Sequence, residues 1–96
     1  MAAMFERVCK RMREKIRAAE YIVSDHADEK MDDEDLAIYD VECAVLSGAV
    51  QERQRDRQSG EWKYRIRGES ADGAAIEVVA KISASGTLFV LTVYRL

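Results

Sequence analysis

The sequence predicts an α+β domain, with N-terminal helices packed on one face of an approximately four-stranded antiparallel sheet. Three observations lead there. Apolar residues recur every three or four positions through the first twenty residues, the stripe of an amphipathic helix. After Gly48 the pattern changes to short β-prone runs, and the glycine-containing connections between those runs are short enough for hairpins. The 96 residues suit one core and are too few for two, so 1–96 is read as a single domain.

The first helix carries Met4, Phe5, Val8, Cys9, Met12, Ile16 and Ala19 on one face, with Arg7, Lys10, Arg11, Arg13, Lys15 and Arg17 opposite. Tyr21, Ile22 and Val23 are β-prone and precede Ser24 and Asp25, good helix caps, so a short strand and then a helix over about Asp25 to Met31 are expected. That strand either joins a sheet edge or stays irregular. The run Asp32 to Asp35 places carboxylates at the positive end of a third helix, expected over about Glu34 to Ser47 and stopped by Gly48. Strands follow near Ala49 to Arg55, Trp62 to Arg67, Ala75 to Ser83 and Thr87 to Tyr94. The last is too apolar for an edge exposed on both faces and is expected to be central or covered. The expected core comprises Phe5, Val8, Met12, Ile16, Ile38 or Tyr39, Leu46, Ile66, Val78, Val90 and Val93.

Apolar residues make up 48% and charged residues 34% of the chain, the balance of a folded globular protein. No apolar run approaches the roughly 18 residues of a membrane span, so no membrane partner is expected and the location is read as cytoplasmic. Cys9 and Cys43 are too few for a disulfide framework or zinc cluster and are read as buried thiols. The net charge of -3 is unevenly spread. Residues 1–20 hold six basic and three acidic side chains, residues 25–42 one and nine, and residues 43–67 six and three. Two basic regions thus flank an acidic one, which permits a local surface for an anionic ligand as well as plain solvation.

His26 is the only histidine, so imidazole chemistry must use it; Lys30 follows at i+4 on the same helical face. A capping or core-edge role is the bland alternative. In Trp62 to Arg67, alternation puts Trp62, Tyr64 and Ile66 on one face and Lys63, Arg65 and Arg67 on the other. Backed by Arg53, Arg55 and Arg57, that cationic ribbon can bind phosphates, or can simply protect an edge hairpin. Thr92 and Tyr94 share a face of the last strand. There is no glycine-rich nucleotide loop, zinc spacing or nucleophile elbow, so no cofactor and no metal site is expected.

The order Tyr21-Ile-Val-Ser-Asp-His26-Ala27 before Lys30-Met31, then Tyr64-Arg-Ile-Arg67-Gly68, Val78-Val79 and Thr92-Val93-Tyr94-Arg95, resembles a small bacterial domain family whose genes often lie beside YgiT-type zinc-finger antitoxins. Its members are regarded as similar to the RelE, BrnT and MqsR toxins, metal-independent endoribonucleases. The resemblance covers about residues 21–95, making 1–20 a helical addition to a toxin-like, RelE-like core of 21–96. The pattern H-A-x-x-R/K-M falls on His26, Ala27, Lys30 and Met31, and T-x-Y on Thr92 and Tyr94. Two departures stand out: Lys30 replaces the more common arginine, and the acidic stretch replaces a basic, glycine-containing turn.

What the resemblance implies is a toxin-like endoribonuclease with an antitoxin partner and RNA or the ribosome as target. His26 and Tyr94 would then transfer protons, while Lys30, Arg65, Arg67, Lys81 and Thr92 would hold substrate. His26, Lys30, Arg65 and Tyr94 are accordingly expected to converge on one concavity. The rival readings are a non-enzymatic protein-interaction module and a non-cleaving RNA-binding domain of the same fold.

Overall fold

Periodicity becomes structure at once in the first element. A computed structural model describes residues 5–96 and places α1 at Glu6–Arg17, with Cys9, Met12 and Ile16 buried. Met4 lies outside the described residues. Ala18, Ala19 and Glu20 then lead into β1 (Tyr21–Val23), followed by α2 (Asp25–Asp33) and α3 (Ile38–Ser47). The remaining strands are β2 (Ala49–Arg55), β3 (Trp62–Glu69), β4 (Ala75–Ile82) and β5 (Leu88–Arg95).

The sheet has five strands in the order β1-β5-β4-β3-β2, rather than four. The pairs β2·β3, β3·β4 and β4·β5 are antiparallel, as the short connections demand, but β1 joins the edge parallel to β5. The sheet is therefore mixed. β5 is interior, flanked by β1 over Leu88 to Val90 and by β4 along its length, which accounts for its apolar sequence. Glycines 60, 73 and 86 take φ values of 75°, 87° and 90° in the three turns, a region glycine enters without a Cβ clash.

One core joins all three helices to one face of the sheet: Met12 and Ile16 from α1, Ala27 and Met31 from α2, Val41, Ala44 and Val45 from α3, and Ile66, Ile76, Val78, Leu88, Val90 and Val93 from the strands. Six expected core positions, Met12, Ile16, Ile66, Val78, Val90 and Val93, are there. Phe5 and Val8 are half-buried, as is Cys43, whereas Cys9 is buried.

The expected third helix needs correction. α2 runs to Asp33, Asp35 takes a left-handed φ of 55°, and Leu36 drops into the core, so the chain turns before α3 begins at Ile38. The acidic run therefore ends α2 and forms the turn. Asp40 supplies the start of α3, its carboxylate accepting from Ala37 N at 2.8 Å and from Ala71 N at 2.9 Å. This phase buries Val41, Ala44 and Val45 and leaves Ile38, Tyr39 and Leu46 exposed, opposite to the expectation.

Candidate functional site

Strand alternation decides what stands on the sheet face that the helices leave open. On β4, Ile76, Val78 and Ala80 enter the core, so Glu77, Val79 and Lys81 point the other way. Register then sets Arg67 and Tyr94 on either side of Glu77, and Arg65 and Thr92 on either side of Val79. A bulge at Leu91, where pairing steps from Val79–Thr92 to Ala80–Val90, lets Val90 and Val93 both enter the core, while alternation beyond it sets Thr92 and Tyr94 on this open face.

Glu77 is only 5% exposed although it faces away from the core, because its neighbours close over it. Tyr94 donates to its Oε1 at 2.5 Å, and Arg65 Nη1 donates to its Oε2 at 2.6 Å. Arg65 Nε also donates to Glu52 Oε1 at 2.9 Å. A buried carboxylate without partners would be costly, and here both of its oxygens are satisfied. The hydrogen bond to Glu77, together with burial and the carboxylate's charge, holds the Tyr94 phenol above the ordinary range, so it remains protonated at neutral pH. The Arg65 bonds use two of the five N–H groups of a guanidinium.

The sequence-predicted residues are distributed unequally around this network. Arg65 and Tyr94 meet through Glu77, Arg67 stands exposed beside it, and Thr92 is half-buried on the same face. Lys81 shares the face but is ion-paired to Glu61 at 3.0 Å and to Asp56 at 3.3 Å. It thereby fastens the β2–β3 turn to β4. His26 and Lys30 belong instead to α2, whose Ala27 and Met31 pack on the opposite side of the sheet. Among the described residues no hydrogen bond or ion pair ties His26 or Lys30 to Arg65 or Tyr94. The expected four-residue convergence therefore reduces to Arg65 and Tyr94, because His26 and Lys30 belong to a helix on the core side of the sheet whereas Arg65 and Tyr94 stand on its open face.

The cationic ribbon is also divided. Pairing slips between Val50–Ile66 and Glu52–Arg65, so Gln51 is an extra residue in β2. One inserted residue exchanges the faces of all that follow. Arg53 and Arg55 accordingly oppose Tyr64 and Trp62, while Glu52 and Gln54 oppose Arg65 and Lys63. The guanidinium carbons of Arg53 and Arg55 each lie 4.1 Å from the Trp62 ring centroid. They stand away from Arg65 and Arg67.

Glu77 and Glu52 are not among the residues that the sequence points to. A lone glutamate in the apolar run Ala75-Ile76-Glu77-Val78-Val79 is the available signal, since a charge in a central strand needs a partner. Among the described residues no group of three or more His, Cys, Asp or Glu side chains is arranged to hold a metal ion. No helix of the described residues is long and apolar enough to cross a membrane.

Comparison with known proteins yields one family match, to a domain of unknown function (DUF4258), over residues 23–95. The match begins in β1 and ends at the last residue of β5, leaving α1 outside it. No curated protein and no solved structure matches the chain.

Proposed function

This chain belongs to the DUF4258 family, and from that premise we propose that it is a RelE-like, metal-independent endoribonuclease of a toxin-antitoxin pair. The observation that carries the reading is the Arg65–Glu77–Tyr94 network on the open sheet face. Metal-free RNA cleavage requires the 2′-hydroxyl to lose its proton as its oxygen bonds to phosphorus. The P–O5′ bond then breaks and the 5′-oxygen takes up a proton from water, with a cation stabilising the charge on the phosphate. Tyr94 hydrogen-bonded to Glu77 is a proton-transfer pair: the phenol can accept the 2′-hydroxyl proton while its own passes to the carboxylate. Arg65, with three N–H groups outside these bonds, supplies the cation, and exposed Arg67 supplies a further phosphate contact.

The test is cleavage of RNA by purified protein, with and without ribosomes and in the presence of EDTA. Tyr94→Phe should lower turnover by roughly 10² to 10⁴-fold, the usual loss for a general acid or base. His26→Ala should change it by no more than about threefold, well below that loss. The reverse order would transfer the chemistry to α2, and no cleavage in any form of the assay would remove the enzyme reading.

A second reading has its own observation. Tyr39 and Leu46 are exposed on α3 with half-buried Cys43 between them, at the i, i+4, i+7 spacing of a helical docking stripe. This favours a bound protein, the antitoxin of the first reading or the partner of a non-enzymatic module. Co-purification with the neighbouring gene product, lost in Tyr39→Asp, is its expected result.

A further inference from the structure

The basic residues displaced from the open face form a surface of their own. Arg7 and Arg11 stand one helical turn apart on α1, and with Phe5, Val8, Arg53 and Tyr64 they line one shallow concavity. Beyond its rim Arg53 and Arg55 flank Trp62. None of these four arginines takes part in an ion pair among the described residues, whereas Arg65 and Lys81 on the opposite face each engage two carboxylates. Arg55 additionally donates to Gly60 O at 2.8 Å, which holds its guanidinium against the hairpin turn.

We infer that this α1 and β2–β3 surface binds single-stranded RNA. Four arginines without carboxylate partners provide phosphate contacts, and the arginine–indole stack provides flat π surfaces on which unpaired bases can lie. The aromatic component decides the ligand class. An acidic peptide would use the charges and gain nothing from the stack, and a duplex would present phosphates while keeping its bases paired. β2 is the sheet edge, so a strand anchored here reaches the Arg65 face by passing round that edge. The surface thus serves as an anchor for nucleotides flanking the proposed cleavage position. Naming RNA as the ligand rests on the ribonuclease reading, but binding is measured independently of cleavage.

Trp62 is the only tryptophan, which makes the site its own probe. Titrating the full chain with oligouridylate should quench tryptophan fluorescence, and the affinity should fall linearly with salt on logarithmic axes. Arg53→Ala and Arg7→Ala, both at exposed positions, should each weaken binding and shallow the salt slope by about 0.7 for each phosphate no longer neutralised. Trp62→Ala, followed by anisotropy of labelled oligouridylate, should lose roughly 5- to 150-fold in affinity, the equivalent of one stacked base. Circular dichroism of each variant establishes that it is folded; should Trp62→Ala unfold, Arg53→Ala and Arg55→Ala decide the question. Equal binding of heparin, polyglutamate or duplex RNA would overturn the inference, as would unchanged affinity in the folded arginine variants. Binding without cleavage would leave this surface standing and remove the nuclease reading, whereas cleavage with binding indifferent to Arg7 and Arg53 would do the reverse.

Discussion

At the scale of single residues, tyrosine hydroxyls are set against carboxylates on both sides of the sheet. Tyr94 meets Glu77 on the open face, and Tyr21 donates to Glu42 Oε2 at 2.5 Å on the helical side. The Tyr21 phenol is pushed up from 10.0 to about 12, first by that hydrogen bond, then by burial and by the Glu42 charge. A phenol whose folded value is raised binds its proton more tightly in the folded state, so the stabilisation is complete below pH 10 and is lost as pH rises towards 12. Urea denaturation across that window should show falling stability, and Tyr21→Phe should flatten the fall while leaving the Tyr94 contribution. A curve unchanged by the substitution would show that the Tyr21–Glu42 bond contributes nothing. The Tyr94→Phe and His26→Ala comparison belongs to the same scale, because each substitution removes one proton-carrying group.

At the scale of elements, close approach of α3 to β3 governs how the helices sit on the sheet. The backbone of Gly68 lies against the Ala44 carbonyl, so an added Cβ would strike main chain that has no freedom to withdraw. Gly48 is similar: its backbone is extended, with φ -94° and ψ -176°, and a Cβ there would meet the Arg67 and Ala44 carbonyls. Its role as a helix stop is therefore one of space, and the left-handed turn expected of a C-terminal glycine is absent. Gly68→Ala should cost about 1–3 kcal/mol or more, as overpacking typically does. Midpoints of urea unfolding check this, with Gly60→Ala as a poor control because its φ of 75° strains any side chain. Ala71→Ser, at an exposed loop position, is the better reference and should stay within about 0.5 kcal/mol of the parent.

At the scale of the whole molecule, α1 lies outside the family match yet shares the core with every other element. Met12 is fully buried and Ile16 is 5% exposed, both in the cluster that holds Ala44, Val45 and the sheet. Met12→Ala should cost about 2–5 kcal/mol, the range for a buried methionine truncated to alanine. A fragment starting at Tyr21 should unfold at much lower urea concentration, because it uncovers the core face on which α1 rests. Equal stability of fragment and full chain would make α1 a detachable addition. The charge distribution is likewise read best at this scale: the acidic residues gather in α2, α3 and the turn between them, while Arg7, Arg11, Arg53 and Arg55, which make no ion pair among the described residues, gather on α1 and the β2–β3 hairpin.

What the sequence determined by itself was the kind of each element and most of its extent. Helical spacing set α1, Ser24 set the start of α2 by accepting from Ala27 N at 3.0 Å, and glycine turns set three antiparallel hairpins. These are local properties, decided by periodicity and capping within a few residues. Tertiary structure decided the rest. Packing of Leu36 restarted α3 and turned Ile38, Tyr39 and Leu46 outward, and β1 found a parallel neighbour far along the chain, with Tyr21 in register with Leu88. An extra residue at Gln51 moved Arg53 and Arg55 to the far side of the sheet from Arg65. The candidate site was half legible for the same reason: Arg65 and Tyr94 could be named from alternation, but Glu77, which joins them, acquires its partners only when three strands come into register. His26 stands out as the sole histidine, a fact of composition, whereas its layer depended on which face of the sheet α2 covers.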